Sequence, residues 1–372
     1  MTQIDKAWTW SEDAGADDVT LMLVGDTNVQ NRKDPPEVFR RVMPTLRDAD
    51  VLFGQLEGPL SLPPADPNVR SIEHKERWRH SDPRMVEAFQ AAGFDAVACA
   101  SNVCYPPAAA LDSIATLDKA GIKHCGAGPD LAAARTPAVV DAKGTRFGFL
   151  SYTSVFWPTG HAATATAGGC ATIKAYTAYQ PDRRALEMPG ADPIIVTFPD
   201  PGELAAMQDD VARLRDQVDV VVVSCHWGVS SSTVTVDYQR AIGQAAVEAG
   251  ADIVFGHHPH VIQGAELHAG KPVFYSLGNF AFDWEKMRGR NLDGLLLRVL
   301  VRNKKVQDVA VVPVMRGDDN LIAIEDPSAS AGSAIVDAFA ERSRSFGTDI
   351  VRRGADLMLR ATEAQTAAAA AD

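Results

Sequence analysis

The sequence predicts a layered α/β fold, and three observations support that prediction. Short apolar runs rich in β-branched residues alternate along the chain with stretches of helical periodicity. Such alternation is typical of sheets that are covered by helices. Polar side chains recur just beyond the predicted strands, where α/β sheets bind their ligands. Hydrophobic residues make up 46% and charged residues 23% of the chain, which is the balance of a folded globular protein.

The amino-terminal part of the chain contains three predicted strands and three predicted helices. The strands are short runs bounded by Gly, Asp or Asn, as expected for buried strands that end in turns. Gly121 follows the third helix at the position that favours a left-handed backbone. In chain order we predict a strand at 19–24, a helix at 36–46, a strand at 51–56, a helix at 83–92, a strand at 96–100 and a helix at 108–120.

The same alternation continues after residue 146. The run Val-Asp-Val-Val-Val-Val-Ser at 218–224 is the clearest buried strand. The remaining elements are strands at 147–152, 251–255 and 273–276, a helix at 239–249 and an amphipathic helix at 334–358. We therefore divide the chain into an extension at 1–18, a domain at 19–315 with an insertion at 151–201, and a carboxyl-terminal helix and alanine-rich tail at 316–372.

Length, charge and cysteine usage limit the classes of function. A chain of 372 residues exceeds the size at which one core usually stops growing, so we expect one large domain or a domain with an added subdomain. The net charge of −12 argues against general binding to nucleic acid. No run of about 18 apolar residues predicts a membrane span, and no signal peptide is evident, so we expect a cytoplasmic protein. The five cysteines form no C-x-x-C pair and no regular frame.

Three histidines lie within four residues at the end of the apolar run 251–255. Gly256 breaks the run, and His257, His258 and His260 follow in the loop. A His-x-His pair at a strand end can turn two imidazoles toward one metal ion. The alternative is a polar loop in which the histidines have no shared role.

Other polar residues follow the predicted strands in the same way. An Asp or Asn after one strand usually serves the turn itself. Several such residues, at strand ends that one sheet edge brings together, point instead to a ligand site. The residues are Asp26, Glu57, Asn102, His226, His258 and His260.

The motifs around these residues resemble those of the CapA family. They occur in the family's order, and the resemblance covers about residues 19 to 315. That family is associated with poly-γ-glutamate capsule synthesis and belongs to the metallophosphatase-like superfamily. The matching motifs are Gly25-Asp26, Gln55–Leu60, Ala100–Asn102, Ser224–Gly228, Gly256–His260 and Tyr275–Phe280.

The resemblance implies a two-sheet sandwich flanked by helices, in α/β/β/α layers, with a metal centre at the sheet edge. It implies that Glu57 bridges two metal sites. Asn102, His226 and His258 would complete one site, and Asp26 and His260 would belong to the other. These donors suit Mn, Fe, Zn or Mg, at one or two sites. A metal pair would polarise a substrate oxygen and supply hydroxide.

Two departures from the family pattern bear on the activity. Asn28 stands where metallophosphatases generally have a His. Val103 stands where the family has a His that is thought to protonate the leaving group or to hold the reacting phosphate, and the Asp that follows in the family motif is also missing. Valine cannot transfer a proton, so another residue must supply the acid or the chemistry differs.

Candidate replacements are found in predicted loops. His74, His80 and Tyr105 are the candidate acids, with His161 as a further possibility, and each of them has an ordinary hydrogen-bonding role as its alternative. Lys75, Arg77 and Arg79, in the basic segment 70–80, are candidates for binding a carboxylate or phosphate, unless that segment is a solvated loop. The insertion 151–201, with its aromatic residues, is either a lid over the site, a dimer contact or surface packing.

Residues 278–284 form the last candidate feature. We expect Asn279 and Asp283 either to have a structural role or to orient His226 or His260 through hydrogen bonds.

These features favour a metal-dependent hydrolase that acts on a small or peptide-like anionic substrate, either a phosphoester or a γ-glutamyl amide. A lyase, isomerase or epimerase on the same scaffold is the alternative, because of Val103. The third hypothesis is a capsule-assembly partner without catalytic activity. The sequence does not determine the substrate, the metal or the oligomeric state.

Overall fold

The structure of the protein is a computed structural model that describes residues 15, 17–62, 78, 80–353 and 356–362. Within these residues the chain forms twenty strands. In chain order they are β1 (Val19–Asn28), β2 (Val51–Leu56), β3 (Ala96–Ala98), β4 (Lys123–Cys125), β5 (Ala127–Gly128), β6 (Ala138–Ala142), β7 (Thr145–Thr153), β8 (Gly169–Cys170), β9 (Ala175–Gln180), β10 (Ile194–Pro199), β11 (Val220–His226), β12 (Ile253–His257), β13 (Ala265–His268), β14 (Lys271–Phe274), β15 (Asn279–Phe282), β16 (Asp293–Arg302), β17 (Lys305–Arg316), β18 (Ile322–Ile324), β19 (Thr348–Arg353) and β20 (Asp356–Ala361).

Seven α-helices and four short 3-10 helices complete the described part of the chain. The α-helices are α1 (Met43–Arg47), α2 (Val86–Ala92), α3 (Pro107–Ala120), α4 (Leu131–Ala134), α5 (Pro201–Arg215), α6 (Asp237–Glu248) and α7 (Ser330–Arg344). The 3-10 helices are Pro35–Phe39, Pro83–Met85, Arg183–Leu186 and Glu285–Met287. Gly121 ends α3 with a φ of 75°, as the sequence predicts.

Two large sheets contain most of the strands. The first has ten strands in the order β19-β20-β17-β16-β1-β2-β3-β4, with β15 paired to β1 and β18 to β17. The second has six strands in the order β13-β14-β12-β11-β7-β6. Strands β1, β2 and β3 run parallel in the first sheet, as do β7, β11 and β12 in the second. Each sheet therefore presents a set of carboxyl strand ends at one edge.

Three apolar clusters define the layers. One lies between the two sheets and joins Leu21 and Phe53 of the first sheet to Phe149 and Phe255 of the second. Another packs the outer face of the first sheet against α2 and α3, and a third packs the outer face of the second sheet against α5 and α6. The α/β/β/α sandwich that the resemblance implies is therefore confirmed.

Two predicted helices differ from the structure. In the region 36–46 the chain forms a 3-10 helix and the short α1, because Pro44 lacks the amide donor that a continuous helix would need at that position. The predicted helix at 334–358 is wrong beyond residue 344. There Gly347 adopts a φ of 71°, and the next residues form β19 and β20, which pair at the edge of the ten-stranded sheet.

No helix within the described ranges is both long and apolar enough to cross a membrane. All five cysteines are buried and carry free thiols, which fits their expected role as small buried residues.

Candidate metal centre

The candidate centre lies where the parallel strands of both sheets end. Asp26 is near the end of β1, Glu57 directly follows β2, and Asn102 is in the turn after β3. From the second sheet, His226 is the last residue of β11 and His258 directly follows β12. The edge of each sheet thus supplies part of the site, as expected when ligands bind at carboxyl strand ends.

A bulge and a glycine set the position of Asp26. The register of β1 against β2 shifts between Val24 and Asp26, and such a bulge re-aims the side chain that follows it. The amide of Asp26 donates to the carbonyl oxygen of Gly278 at 3.1 Å. A Cβ atom at Gly25 would lie 2.2 Å from that same oxygen. Only glycine allows this close approach of the two chain segments.

Asp26, Glu57 and His226 form the tightest group of ligand atoms. One potential metal-ligand atom of each residue lies within 4.8 Å of those of the other two, and all three side chains are buried. The His226 Nδ1 atom is 3.6 Å from the Glu57 Oε2 atom. On its other side, the His226 Nε2 atom is 3.0 Å from the Asn102 Oδ1 atom. The three residues can hold one cation between them, with Asn102 adjacent.

The loop after β12 brings two more imidazoles to this group. His258 and His260 have φ angles of 91° and 58°, which are strained for non-glycine residues. The backbone amide of His258 donates to the Asp26 Oδ2 atom at 3.1 Å. The ring centroids of His226 and His258 are 4.9 Å apart, and those of His258 and His260 are 5.8 Å apart. The six predicted metal ligands are thus neighbours in space.

Asn279 orients one of these imidazoles. Its Oδ1 atom lies 3.0 Å from the His260 Nδ1 atom, which is also 3.3 Å from the Asp26 Oδ2 atom. The predicted orienting role of Asn279 agrees with this geometry. Asp283 has the structural role instead, because its carboxylate accepts two hydrogen bonds from the Arg32 guanidinium, at 2.6 and 2.7 Å.

The electrostatics of Asp26 favour a bound cation. Burial raises the pKa of its carboxyl, but the interactions with His260, with His257 and with the His258 amide together hold the pKa below its ordinary value. The Asp26 Oδ1 atom is buried and accepts no hydrogen bond within the described ranges. A buried carboxylate oxygen without a donor is costly unless a cation or water occupies the adjacent space. The mixed set of carboxylate, amide and imidazole donors therefore fits a first-row divalent ion or Mg²⁺.

His257 belongs to the site in a way that the sequence did not show. Its Nε2 atom lies 3.1 Å from the Ser224 Oγ atom, and its Nδ1 atom lies 3.9 Å from the Asp26 Oδ1 atom. Burial lowers the pKa of His257 to about 4, so the ring is neutral near pH 7. Its place within three clustered histidines was visible in the sequence. The side to which each ring turns depends on the strand pairing.

The two departures from the family pattern have structural explanations. Asn28 is buried, and its Nδ2 atom donates to the Glu57 carbonyl oxygen at 2.8 Å, so it fixes the backbone at Glu57. Val103 is fully buried in an apolar cluster with Trp78, Phe282 and Met287. An imidazole at that position would meet apolar side chains.

The candidate acids fall into different environments. Both ring nitrogens of His161 already form hydrogen bonds. The Nδ1 atom accepts from the Trp157 amide and the Nε2 atom bonds the Ser101 carbonyl oxygen, each at 3.0 Å. The Tyr105 ring is half-buried, 5.1 Å from the His161 ring. His80 is buried in the segment that pairs with the chain after Glu57. His74, Lys75, Arg77 and Arg79 lie outside the described residues, so their roles stay predictions.

The fold and the site together define a class of protein. It is an α/β/β/α sandwich with a buried centre of carboxylates and imidazoles at its strand ends. Residues 18–284 match the family model described as bacterial capsule synthesis protein PGA_cap. The chain belongs to this family, which confirms the resemblance drawn from the motifs.

Curated relatives carry related names. The chain is 28% identical to the capsule biosynthesis protein CapA of Bacillus anthracis, over 80% of this chain and 67% of that protein. It is 26% identical to the PGA biosynthesis protein CapA of Bacillus subtilis, over 83% and 73%. A solved structure titled as a novel phosphatase, from Mycoplasma pneumoniae, aligns with a TM-score of 0.46 and 12% identity, over 80% of this chain and 94% of that chain.

Proposed function

We propose that this protein is a metal-dependent hydrolase that acts on an anionic substrate in capsule polymer metabolism. One observation carries the proposal. Six potential metal ligands, from strand ends of two different sheets, converge on one buried place. Convergence of this kind is costly unless it serves a ligand, because two carboxylates and three imidazoles give up their hydration.

The chain's own residues would share the work at this centre. Asp26 and Glu57 would supply the negative charge that retains a cation, and His226, His258 and His260 would supply imidazole nitrogens as ligands. Asn279 and Asn28 fix the orientation of His260 and of the Glu57 backbone. A divalent ion held there would polarise a substrate oxygen and lower the pKa of water.

The proton for the leaving group requires a further residue. Val103 has no titratable group, and both ring nitrogens of His161 are already engaged. Tyr105 and His80 are the described residues that we propose for this role, with His74 as a third candidate. Each becomes a general acid only if it comes within hydrogen-bond reach of the substrate.

The proposed substrate is a phosphoester or a γ-glutamyl amide. The names of the relatives support the second class, because they refer to capsule and PGA biosynthesis. A further relative, from Mycobacterium tuberculosis, is named a probable polyglutamine synthesis accessory protein and is 30% identical over 51% of this chain and 45% of its own. Arg77 and Arg79 are the cations that we propose for holding the substrate's anionic group.

A lyase or isomerase is the second candidate function. The observation that favours it is the apolar cluster around Val103, where relatives are expected to carry an acid. Without that acid, stabilisation of an oxyanion or carbanion becomes a more natural use of the same centre.

Elemental analysis tests the metal centre. We expect the purified full chain to retain a first-row divalent metal, and Glu57→Ala and His258→Ala to lose most of it along with any turnover. The matched control is His268→Ala, since His268 pairs with Glu248 at the surface, away from the site. Full activity in a metal-free preparation would exclude the proposal.

Labelled water separates the two reaction classes. Turnover of a phosphodiester or a γ-glutamyl anilide in ¹⁸O-water places the label in the product only if the bond is hydrolysed. Label in the product supports a hydrolase. Turnover without label identifies a lyase or isomerase.

A further inference from the structure

A buried polar pair, Ser224 and His257, lies between the two sheets next to the candidate centre. Ser224 is on β11 and His257 ends β12. Because side chains alternate along a strand, these two residues face the same apolar layer as Val222 and Phe255. Both are fully buried, and the His257 ring packs edge-on against the Phe255 ring, with centroids 4.7 Å apart. A polar pair in such a layer is costly unless its polar atoms find partners.

One side of the pair is closed by a hydrogen bond, and the other side faces Asp26. The His257 Nε2 atom lies 3.1 Å from the Ser224 Oγ atom. Among the described residues, the His257 Nδ1 atom and the Asp26 Oδ1 atom have no hydrogen-bond partner, and they lie 3.9 Å apart. The Asp26 Oδ2 atom, in contrast, accepts from the His258 amide. The carboxylate oxygen that lacks a donor is therefore the one that faces His257.

The number of available protons determines which group donates in each contact. The serine hydroxyl and the neutral imidazole each have one proton to donate. If Nε2 donated to Ser224, the Nδ1 lone pair would face the Asp26 carboxylate, and the hydroxyl proton would have no acceptor in the described part of the chain. If Ser224 donates to Nε2, the imidazole proton is on Nδ1 and faces Asp26. Only the second arrangement brings each proton to a lone pair, so Ser224 fixes the tautomer of His257.

The surroundings of His257 favour a supporting role over direct metal ligation. Within the described ranges, Asp26, Glu57 and His226 form the close group of ligand atoms, and His257 is not a member of it. A carboxylate oxygen has two lone pairs, so Asp26 Oδ1 can meet an N–H group and a cation at the same time. At 3.9 Å the contact is longer than a hydrogen bond, but such contacts often tighten only when a ligand binds.

We propose that Ser224 and His257 are positioning residues that hold Asp26 in the orientation that a metal ion requires. Ser224 donates to His257, and His257 presents its Nδ1–H group to Asp26 from the side of the inter-sheet layer. The carboxylate is thereby restrained at both oxygens, since the His258 amide holds Oδ2. The inference rests on the proposed metal centre, and it assigns to that centre two residues that are not among its six expected ligands.

Calorimetric titration of the metal-free full chain with Co²⁺ tests the pair. We expect Ser224→Ala to weaken Co²⁺ binding by about tenfold, because the tautomer of His257 is no longer fixed. The matched control is Ser151→Ala. Ser151 pairs with Ser224 from the neighbouring strand β7 and is also buried, but its hydroxyl has no hydrogen-bond partner among the described residues. This control should bind Co²⁺ as the wild type does.

Two variants of His257 distinguish positioning from ligation and from packing. An asparagine amide can donate near the place of Nδ1, whereas phenylalanine has no donor. We therefore expect His257→Asn to bind Co²⁺ at least about tenfold more tightly than His257→Phe. The visible absorption spectrum of bound Co²⁺ should be the same in His257→Asn and in the wild type, because no ligand of the ion is lost.

Three results would overturn the inference while leaving the metal centre in place. They are equal Co²⁺ affinities of Ser224→Ala and Ser151→Ala, equal affinities of the two His257 variants, and a changed Co²⁺ spectrum in His257→Asn, which would identify His257 as a ligand. A wild type that binds no Co²⁺ would overturn the proposed metal centre and this inference together.

Discussion

Val103 is the residue at which the resemblance to the family leads us to expect a histidine. The structure explains why a valine is stable there, because Trp78, Phe282 and Met287 surround it and leave it fully buried. Val103 is thus part of an apolar cluster beside the candidate centre. In this cluster Phe282 also packs against the His260 ring, with centroids 4.9 Å apart. Restoring a histidine would disturb that packing as well as add a titratable group.

We predict that Val103→His lowers the free energy of unfolding by about 1–3 kcal/mol, because a polar ring enters an apolar site. Urea unfolding measures the loss, and Val103→Ile is the control for side-chain volume. Phosphodiesterase activity should not rise. A variant as stable as the wild type with a clear gain in that activity would mean that only the acid was missing.

At the level of the element, the buried Arg316 holds the loop after β15, together with Asn320 and Asn279, which donate to two of the same carbonyl oxygens. Arg316, near the end of β17, donates to the carbonyl oxygens of Phe282, Met287, Arg290 and Asn291, at 2.8 to 3.2 Å. This loop carries the Trp284–Met287 segment over the cluster around Val103. The planar guanidinium carries five N–H donors in a fixed fork, whereas a lysine ammonium carries three, so a lysine satisfies fewer of these carbonyls.

Arg316→Lys should therefore cost about 1–3 kcal/mol of stability, because at least one buried carbonyl, at Met287 or Arg290, is left without a donor. Denaturant unfolding gives the magnitude, and hydrogen exchange should become faster in residues 282–291. Arg290→Lys, an exchange at an exposed arginine of the same loop, should change neither quantity. Equal stability of the two variants would contradict this role of Arg316.

The two sheets meet at the candidate centre, so we expect a bound cation to affect the stability of the whole fold. Asp26 and Glu57 come from the first sheet, and His226, His258 and His260 come from the second or its adjoining loop. A cation bound between them would join the layers. Ligands that bind only the folded state stabilise it by mass action.

We predict that removing the metal with a chelator lowers the melting temperature of the wild type, and that Mn²⁺ or Zn²⁺ restores it. A metal at a hundredfold excess over its Kd contributes about 2.7 kcal/mol. Glu57→Ala should melt at the same temperature with and without the ion, whereas His268→Ala should respond as the wild type does. Differential scanning calorimetry would contradict the idea if Glu57→Ala kept the full response.

Local pattern explains which parts of the fold were predictable. The buried runs of β2 and β11 have strand character in sequence. The polar residues that end them can be predicted from the neighbouring residues alone. The carboxyl-terminal hairpin was mistaken for helix, because β19 and β20 gain their stability from pairing at a sheet edge. The partner of Asp283 was also missed, because Arg32 is 251 positions away in the chain.

The sequence by itself determined the layered alternation and the placing of six donors at strand ends, since both follow from periodicity within a few residues. Only the tertiary structure decided that the His258 amide meets Asp26 across 232 positions of sequence, and that His257 turns toward Ser224 while Asn279 holds His260. The physical reason is that strand register and the packing of one sheet on the other direct each side chain, and both depend on contacts between distant segments.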